Sequence, residues 1–84
     1  MRNRKKHGVL FEEAATIFAD PNGLEGEDHE HTDAEPRWKI LALSAEGRVL
    51  LVVYTLRRLR NGIETIRIIS ARHASRKERK AYAG

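Results

Sequence analysis

The 84-residue chain has no cysteine, which excludes disulfide staples, thiolate zinc sites and cysteine nucleophiles, and fits a reducing compartment. It is poor in aromatics. Phe11, Phe18, Trp38, Tyr54 and Tyr82 are the whole set, most of them in apolar periodic positions, which argues against a passive platform that stacks single-stranded bases. Long apolar runs are also missing. The longest, Val49 to Tyr54, falls far short of the ~20 residues of a membrane span, and no signal-peptide stretch follows the basic N-terminus. The chain therefore reads as soluble and cytoplasmic, with no membrane partner. A chain this short buries only about 60% of its unfolded surface and cannot divide that between two cores, so residues 1–84 read as a single domain.

Basic residues are missing from one long stretch. Between His7 and Pro36 there is no Lys or Arg, while Glu12, Glu13, Asp20, Glu25, Glu27, Asp28, Glu30, Asp33 and Glu35 give −9. Residues 1–6 carry Arg2, Arg4, Lys5 and Lys6 (+4), and residues 37–84 hold twelve bases against Glu46, Glu64 and Glu78 (+9), so 4 − 9 + 9 reproduces the formal +4. Such segregation suits a polyanion at one surface and repels it from another, although an acidic loop covering a basic face has the same composition. Eleven of the sixteen bases are arginine, whose planar fork matches pairs of phosphate oxygens, and this favours nucleic acid.

Leu10, Ala14, Ile17 and Phe18 recur at helical spacing with Glu12, Glu13 and Thr16 outward, which predicts an amphipathic helix over Leu10–Ala19, stopped by Asp20-Pro21. Residues 22–35, with Gly23, Gly26 and closely spaced acids, read as an acidic mobile loop. His29 and His31 within it lack a third ligand fixed by spacing and read as solvated, so no metal site is expected. Trp38–Leu43 and Val49–Thr55 read as strands joined by the hairpin turn Ser44-Ala45-Glu46-Gly47. The second of these is apolar on both faces and hence central in its sheet. Residues 57–62 form the next turn, with Asn61-Gly62 its strongest signal, before a strand over Glu64–Ala71. There Ile66 and Ile68 share one face and Arg67 and Ile69 the other, leaving a cation in mid-strand. Ser75 and Glu78 form a capping box that opens a short basic helix over Ser75–Ala83. The fold class is α+β: a small antiparallel sheet of three to four strands, a helix in the N-terminal half and a short basic C-terminal helix.

Arg67, Arg72, Arg76 and Arg79, with Lys5, Lys6 and His7, supply cations that can clamp a phosphodiester and stabilise a crowded pentacoordinate phosphate. His7, His73 or Tyr82 can carry a proton, yet each is equally an ordinary surface or capping residue.

These residues also carry a resemblance. Lys6-His7-Gly8, Phe11-Glu12-Glu13-Ala14, Asp20-Pro21, Arg67-Ile68-Ile69-Ser70-Ala71-Arg72, and Glu78-Arg79 with Tyr82 follow in the order of the successive signatures of the BrnT family of bacterial type II toxins. The chain resembles that family over nearly its whole length, most specifically in Arg-Ile-Ile-Ser-Ala-Arg followed by Glu-Arg-x-x-Tyr. Three departures stand out. The chain reads as shortened before Lys-His-Gly, with only Met1 to Lys5 where the family has a strand and a helix; Leu10 stands where a capping Ser or Thr is common; and the turn over residues 57–62 is longer and more basic. The resemblance implies a RelE-like ribonuclease toxin that cleaves RNA and inhibits translation. It further implies neutralisation by a BrnA-like ribbon-helix-helix antitoxin, and operator DNA bound only through the complex. On that reading Lys6, His7, Arg67 and Arg72 are the catalytic candidates, Lys5, Arg76, Arg79 and Tyr82 contact RNA phosphates, and neither metal nor cofactor is needed. The antitoxin would cover Arg67, Arg72, Arg76 and Arg79, or else add a strand to a sheet edge. The alternatives are a non-catalytic basic adaptor for nucleic acid or protein, and a degenerate toxin that acts only as corepressor. A neighbouring reading frame for a ribbon-helix-helix protein discriminates between adaptor and toxin.

Overall fold

The computed structural model describes residues 5–6, 8–28 and 36–84. Its main sheet is antiparallel, in the order β3-β4-β5-β6, from β3 (Leu24–Glu27), β4 (Trp38–Leu43), β5 (Val49–Arg58) and β6 (Glu64–His73). A two-residue ribbon, β1 (Lys5–Lys6) with β2 (Val9–Leu10), leads into α1 (Phe11–Thr16) and a 3-10 turn (Ile17–Ala19), and α2 (Arg76–Ala83) closes the chain. This is the expected α+β fold, with the apolar β5 central as read from its sequence.

The two hairpin turns are built alike. Ser44 and Leu59 donate their N–H groups to the carbonyls of Arg48 and Ile63, and Gly47 and Gly62 donate back to Ser44 and Leu59. Gly47 (φ +82°) and Gly62 (φ +83°) take the left-handed position that lets each turn match the twist of its strands.

One sheet face meets α1. Ile40, Ala42, Leu50, Val52, Tyr54 and Ala71 pack there against Val9, Ala14 and Ile17, with Phe18, Trp38 and Ile68 at the margin. The Phe18 and Tyr54 rings meet edge to face at 5.1 Å, a geometry that aligns ring edge with ring face. α1 starts without a side-chain cap, as Leu10 at the cap position requires.

Two expectations need correction. Residues 24–27 are not loop: they form β3, with Leu24 opposite Leu41 and Glu27 opposite Trp38. The gain is main-chain pairing for the edge of β4, and Glu25 is held by a short hydrogen bond from the Tyr54 hydroxyl, a contact between residues that no local pattern links. His29 and His31 lie outside the described residues. The second correction concerns Glu13, which points inward and is 4% exposed. Its carboxylate accepts from Ser44 Oγ (2.7 Å), Arg48 Nε (2.9 Å) and Arg48 Nη2 (3.2 Å), so a buried charge is fully partnered by the β4–β5 turn. Burial pushes Glu13 up, but the Ser44 and Arg48 hydrogen bonds, the Arg48 charge and His73 outweigh it and hold the carboxyl below its ordinary value. Among the described residues no helix is long and apolar enough to cross a membrane.

Candidate functional site

Strict alternation along β6 would put Arg67 and Arg72 on opposite faces. The register prevents this. Val53 pairs with Ser70 but Tyr54 pairs with Ile68, so Ile69 is an extra residue, a β-bulge that resets the alternation. As a result Arg67 (opposite Thr55), Ser70 (opposite Val53) and Arg72 (opposite Leu51) share the face turned away from the core. Lys39, opposite Val53 on the other side, joins the same cross-strand row as Ser70. Thr55 beneath Arg67 is 2% exposed, and its hydroxyl has no partner among the described residues, so this position uses the β-branched volume rather than the hydroxyl.

The two arginines differ in what they hold. Arg72 grips Glu78 with both ends of its fork, at 2.7 and 2.8 Å, and donates to the His73 carbonyl at 3.2 Å. Glu78 is also the reciprocal half of the capping box: it accepts from Ser75 N–H at 2.8 Å while Ser75 Oγ accepts from Glu78 N–H at 3.1 Å. The box was legible at i, i+3; the arginine that braces it was not. Arg67 is exposed and makes no ion pair among the described residues; Glu64 pairs with Arg58 at 3.4 Å and Glu78 with Arg72.

The Arg72 hydrogen bond is the main force holding Glu78 down to about 2, helped by Ser75 and opposed by burial. A depressed acid stabilises the fold in its charged form, so the contribution is complete above the usual 4.5 and fades as pH falls toward 2. The melting temperature of the wild type should therefore drop more steeply between those pH values than that of Glu78→Gln, in parallel thermal melts.

α2 presents Arg76, Lys77, Arg79 and Lys80 against the single acid Glu78. Arg79 is tied to the Ala74 carbonyl at 2.9 Å, whereas Arg76 is exposed. Tyr82, a candidate phosphate contact, instead donates its hydroxyl to Asp20 Oδ2 at 2.5 Å. Asp20 also accepts from Leu43 N–H at 2.8 Å and Asn22 N–H at 2.9 Å, so one carboxylate joins the exit of the 3-10 turn, β4 and α2. The Tyr82 hydrogen bond leads the forces that hold Asp20 below the usual carboxylate range, and the same contact raises the Tyr82 phenol. Between β3–β5 and α2 this outer face has an open depression of about 270 Å³, lined by Leu24, Lys39, Leu41, Leu51 and Glu78.

Lys5 and Lys6 form β1, whose backbone contacts β6, so the basic N-terminal ribbon lies beside the strand that carries both arginines. His7 lies outside the described residues. The structure thus brings Arg67 and Arg72 to one face, ties Arg72 and Tyr82 to carboxylates, and leaves Arg67 and Arg76 without an ion pair among the described residues. The buried Glu13–Ser44–Arg48 cluster escaped sequence reasoning because its members are 31 and 35 residues apart. Among the described residues no three His, Asp or Glu side chains converge as a metal site.

None of the curated proteins compared with the chain matches it. A family model does: that of the ribonuclease toxin BrnT, of type II toxin-antitoxin systems, over residues 1–78. With nearly the whole chain matched, and with the arginine strand and capped helix of its most specific motif in place, this protein belongs to the BrnT family of ribonuclease toxins, whose type II systems pair each toxin with an antitoxin.

Proposed function

We propose that the chain cleaves RNA without a metal, by attack of a ribose 2′-hydroxyl on its own 3′-phosphate. In this reaction the new O2′–P bond forms as the P–O5′ bond breaks, leaving a 2′,3′-cyclic phosphate and a 5′-hydroxyl. A base removes the 2′ proton and an acid supplies one to the departing oxygen. Charge accumulates on the phosphoryl oxygens, where a pre-positioned cation lowers the barrier most.

The observation that carries this reading is the bulge at Ile69, which turns Arg67 and Arg72 to one face, where Arg72 is engaged by Glu78 and Arg67 has no ion pair among the described residues. Arg67 acts as the transition-state cation. Arg72, held by Glu78, sets the angle of α2 and offers its exposed edge to a neighbouring phosphate, with Arg76 and Arg79 extending the track along the backbone. Lys5 and Lys6 enter from β1. Lys6 or His7 serves in proton transfer or substrate positioning, His7 being the side chain whose ordinary pKa allows either role near neutrality. Tyr82 reaches RNA only if its bond to Asp20 is exchanged for one to a phosphate.

The partner antitoxin is of the BrnA-like ribbon-helix-helix kind, and operator DNA is bound through the complex. Cleavage of RNA by the purified chain should persist in excess chelator, with a rate within about twofold of the untreated enzyme. Activity abolished by chelator and restored by magnesium or zinc contradicts the proposal.

A further inference from the structure

β5 and β6 run on past their neighbours. The last pairing of β4 is Trp38 with Tyr54, but β5 and β6 continue through Thr55–Arg67, Leu56–Ile66, Arg57–Thr65 and Arg58–Glu64. Residues 55–67 therefore form a two-stranded arm beyond the edge of β4. A lone hairpin is marginal in water, and a stable one has its apolar face covered.

This arm keeps large aliphatic side chains uncovered on both sides. Leu56 (42% exposed) and Ile66 (47%) are cross-strand partners on the core-side face, continuing the line of Tyr54 and Ile68 outward. Leu59 (46%) and Ile63 (56%) flank the turn, joined by the Leu59 N–H to Ile63 carbonyl bond of 2.8 Å. Alternation from Arg57 and Thr65 puts this second pair on the side of Arg67. Exposed aliphatics scattered singly need no explanation, whereas two cross-strand pairs, one on each face of a projecting arm, mark an interaction surface.

Charge narrows the occupant. Residues 55–67 hold Arg57, Arg58, Arg60 and Arg67 against Glu64, a net of 4 − 1 = +3, and their one ion pair among the described residues, Arg58 with Glu64, is a long one at 3.4 Å between exposed groups. An arm-to-arm contact with a second copy of the chain would set +3 against +3. RNA would meet the arginines but gain nothing from leucine and isoleucine, which offer bases no stacking face. A protein segment with apolar side chains flanked by Asp and Glu satisfies both features.

We propose that the β5–β6 arm is the docking surface for the antitoxin, embraced by a segment of that protein that places apolar side chains on the Leu56–Ile66 and Leu59–Ile63 pairs and carboxylates beside Arg57 and Arg60. The assignment rests on the toxin–antitoxin reading above. Because Leu59 and Ile63 lie on the Arg67 side, an occupant of the tip also brings acid toward Arg67, so docking and inhibition share one contact surface.

The test uses the full-length chain, its cognate antitoxin and two double variants, Leu56→Thr/Ile66→Thr and Leu59→Ser/Ile63→Ser. All four side chains are already exposed, and Thr keeps the β-strand preference. Each variant should weaken antitoxin binding, measured by biolayer interferometry, by about 50-fold, the loss expected of an apolar anchor pair. RNA cleavage by the free variants should stay within about twofold of wild type. Arg57→Ser/Arg60→Ser should lower the antitoxin association rate and flatten its salt dependence. Antitoxin affinity within about threefold of wild type in both apolar variants overturns the proposal. So does intact antitoxin binding combined with lost RNA cleavage, which makes the arm an RNA surface, or with lost self-association, which makes it a dimer contact. If wild type proves inactive on RNA while the apolar variants still lose the antitoxin, the docking surface stands and the ribonuclease mechanism fails.

Discussion

Arg67→Ala is expected to lower RNA cleavage by about 100-fold or more while leaving the melting temperature within a few degrees of wild type. The magnitude is that of removing one pre-positioned stabiliser of transition-state charge. The sparing of the fold follows from the structure: Arg67 is exposed, makes no ion pair among the described residues, and stands opposite Thr55 on the face turned away from the core. Arg72→Ala should behave differently. It frees Glu78 from a bidentate pair and loosens the capping box of α2, so stability and activity should fall together. Single-turnover cleavage and thermal melts on both variants separate the two roles. An Arg67→Ala protein that melts far earlier, yet cleaves at the wild-type rate in its folded fraction, would make Arg67 a structural residue.

The largest effect on stability is expected at Glu13. Replacing it with Ala removes the acceptor of three hydrogen bonds, two of them from Arg48, and leaves Ser44 Oγ inside the turn without its carboxylate. Arg48 is 52% exposed and can turn to water, which limits the loss. Hydrogen bonds to a buried charge are worth roughly 2 kcal/mol in such a setting, and in a domain of this size that lowers the melting temperature by roughly 10 °C. Glu13→Gln should recover part of the loss through its retained carbonyl. The pH signature has a definite sign. Because the folded carboxyl lies below its ordinary value, its contribution is present at neutral pH and disappears as pH falls through the lowered value, and Glu13→Gln should remove that segment of the stability curve. A wild-type-like melt for Glu13→Ala would show that the cluster is incidental to the fold.

Patterns confined to a few neighbouring residues proved legible in the sequence. The helical segment read over Leu10–Ala19, which the structure divides into Phe11–Thr16 and a 3-10 turn, both hairpin glycines, the doubly apolar β5 and the Ser75–Glu78 box each follow from local spacing. What escaped was set by tertiary pairing. β3 lacks β-branched residues and forms because β4 offers it an edge, with Tyr54 satisfying Glu25 from another strand. Glu13 sits where helical periodicity alone predicts solvent, and only a turn 31 residues away makes it an interior acid.

The candidate site shows the same division. The family motif identified both arginines of β6, but alternation would have separated them; the bulge at Ile69, invisible without the register against β5, sets them on one face. The motif makes Arg72 a catalytic candidate and Tyr82 a phosphate contact; the structure adds that Glu78 holds the one and Asp20 the other. Those contacts hold α2 in place, and α2 carries the cations that extend the face. Sequence identified the residue types, and the structure separates those that hold the site together from those left open toward a ligand.

The most direct test of this account reads the end groups of the RNA fragments released in chelator. Attack by the 2′-hydroxyl leaves 2′,3′-cyclic phosphate and 5′-hydroxyl ends, and an otherwise identical 2′-O-methyl substrate should not be cut. Mass spectrometry of the fragments distinguishes the outcomes directly. Cyclic phosphate from wild type, slowed with unchanged chemistry in Arg67→Ala, is the predicted result; 5′-phosphate ends, or cleavage of the 2′-O-methyl substrate, would contradict it.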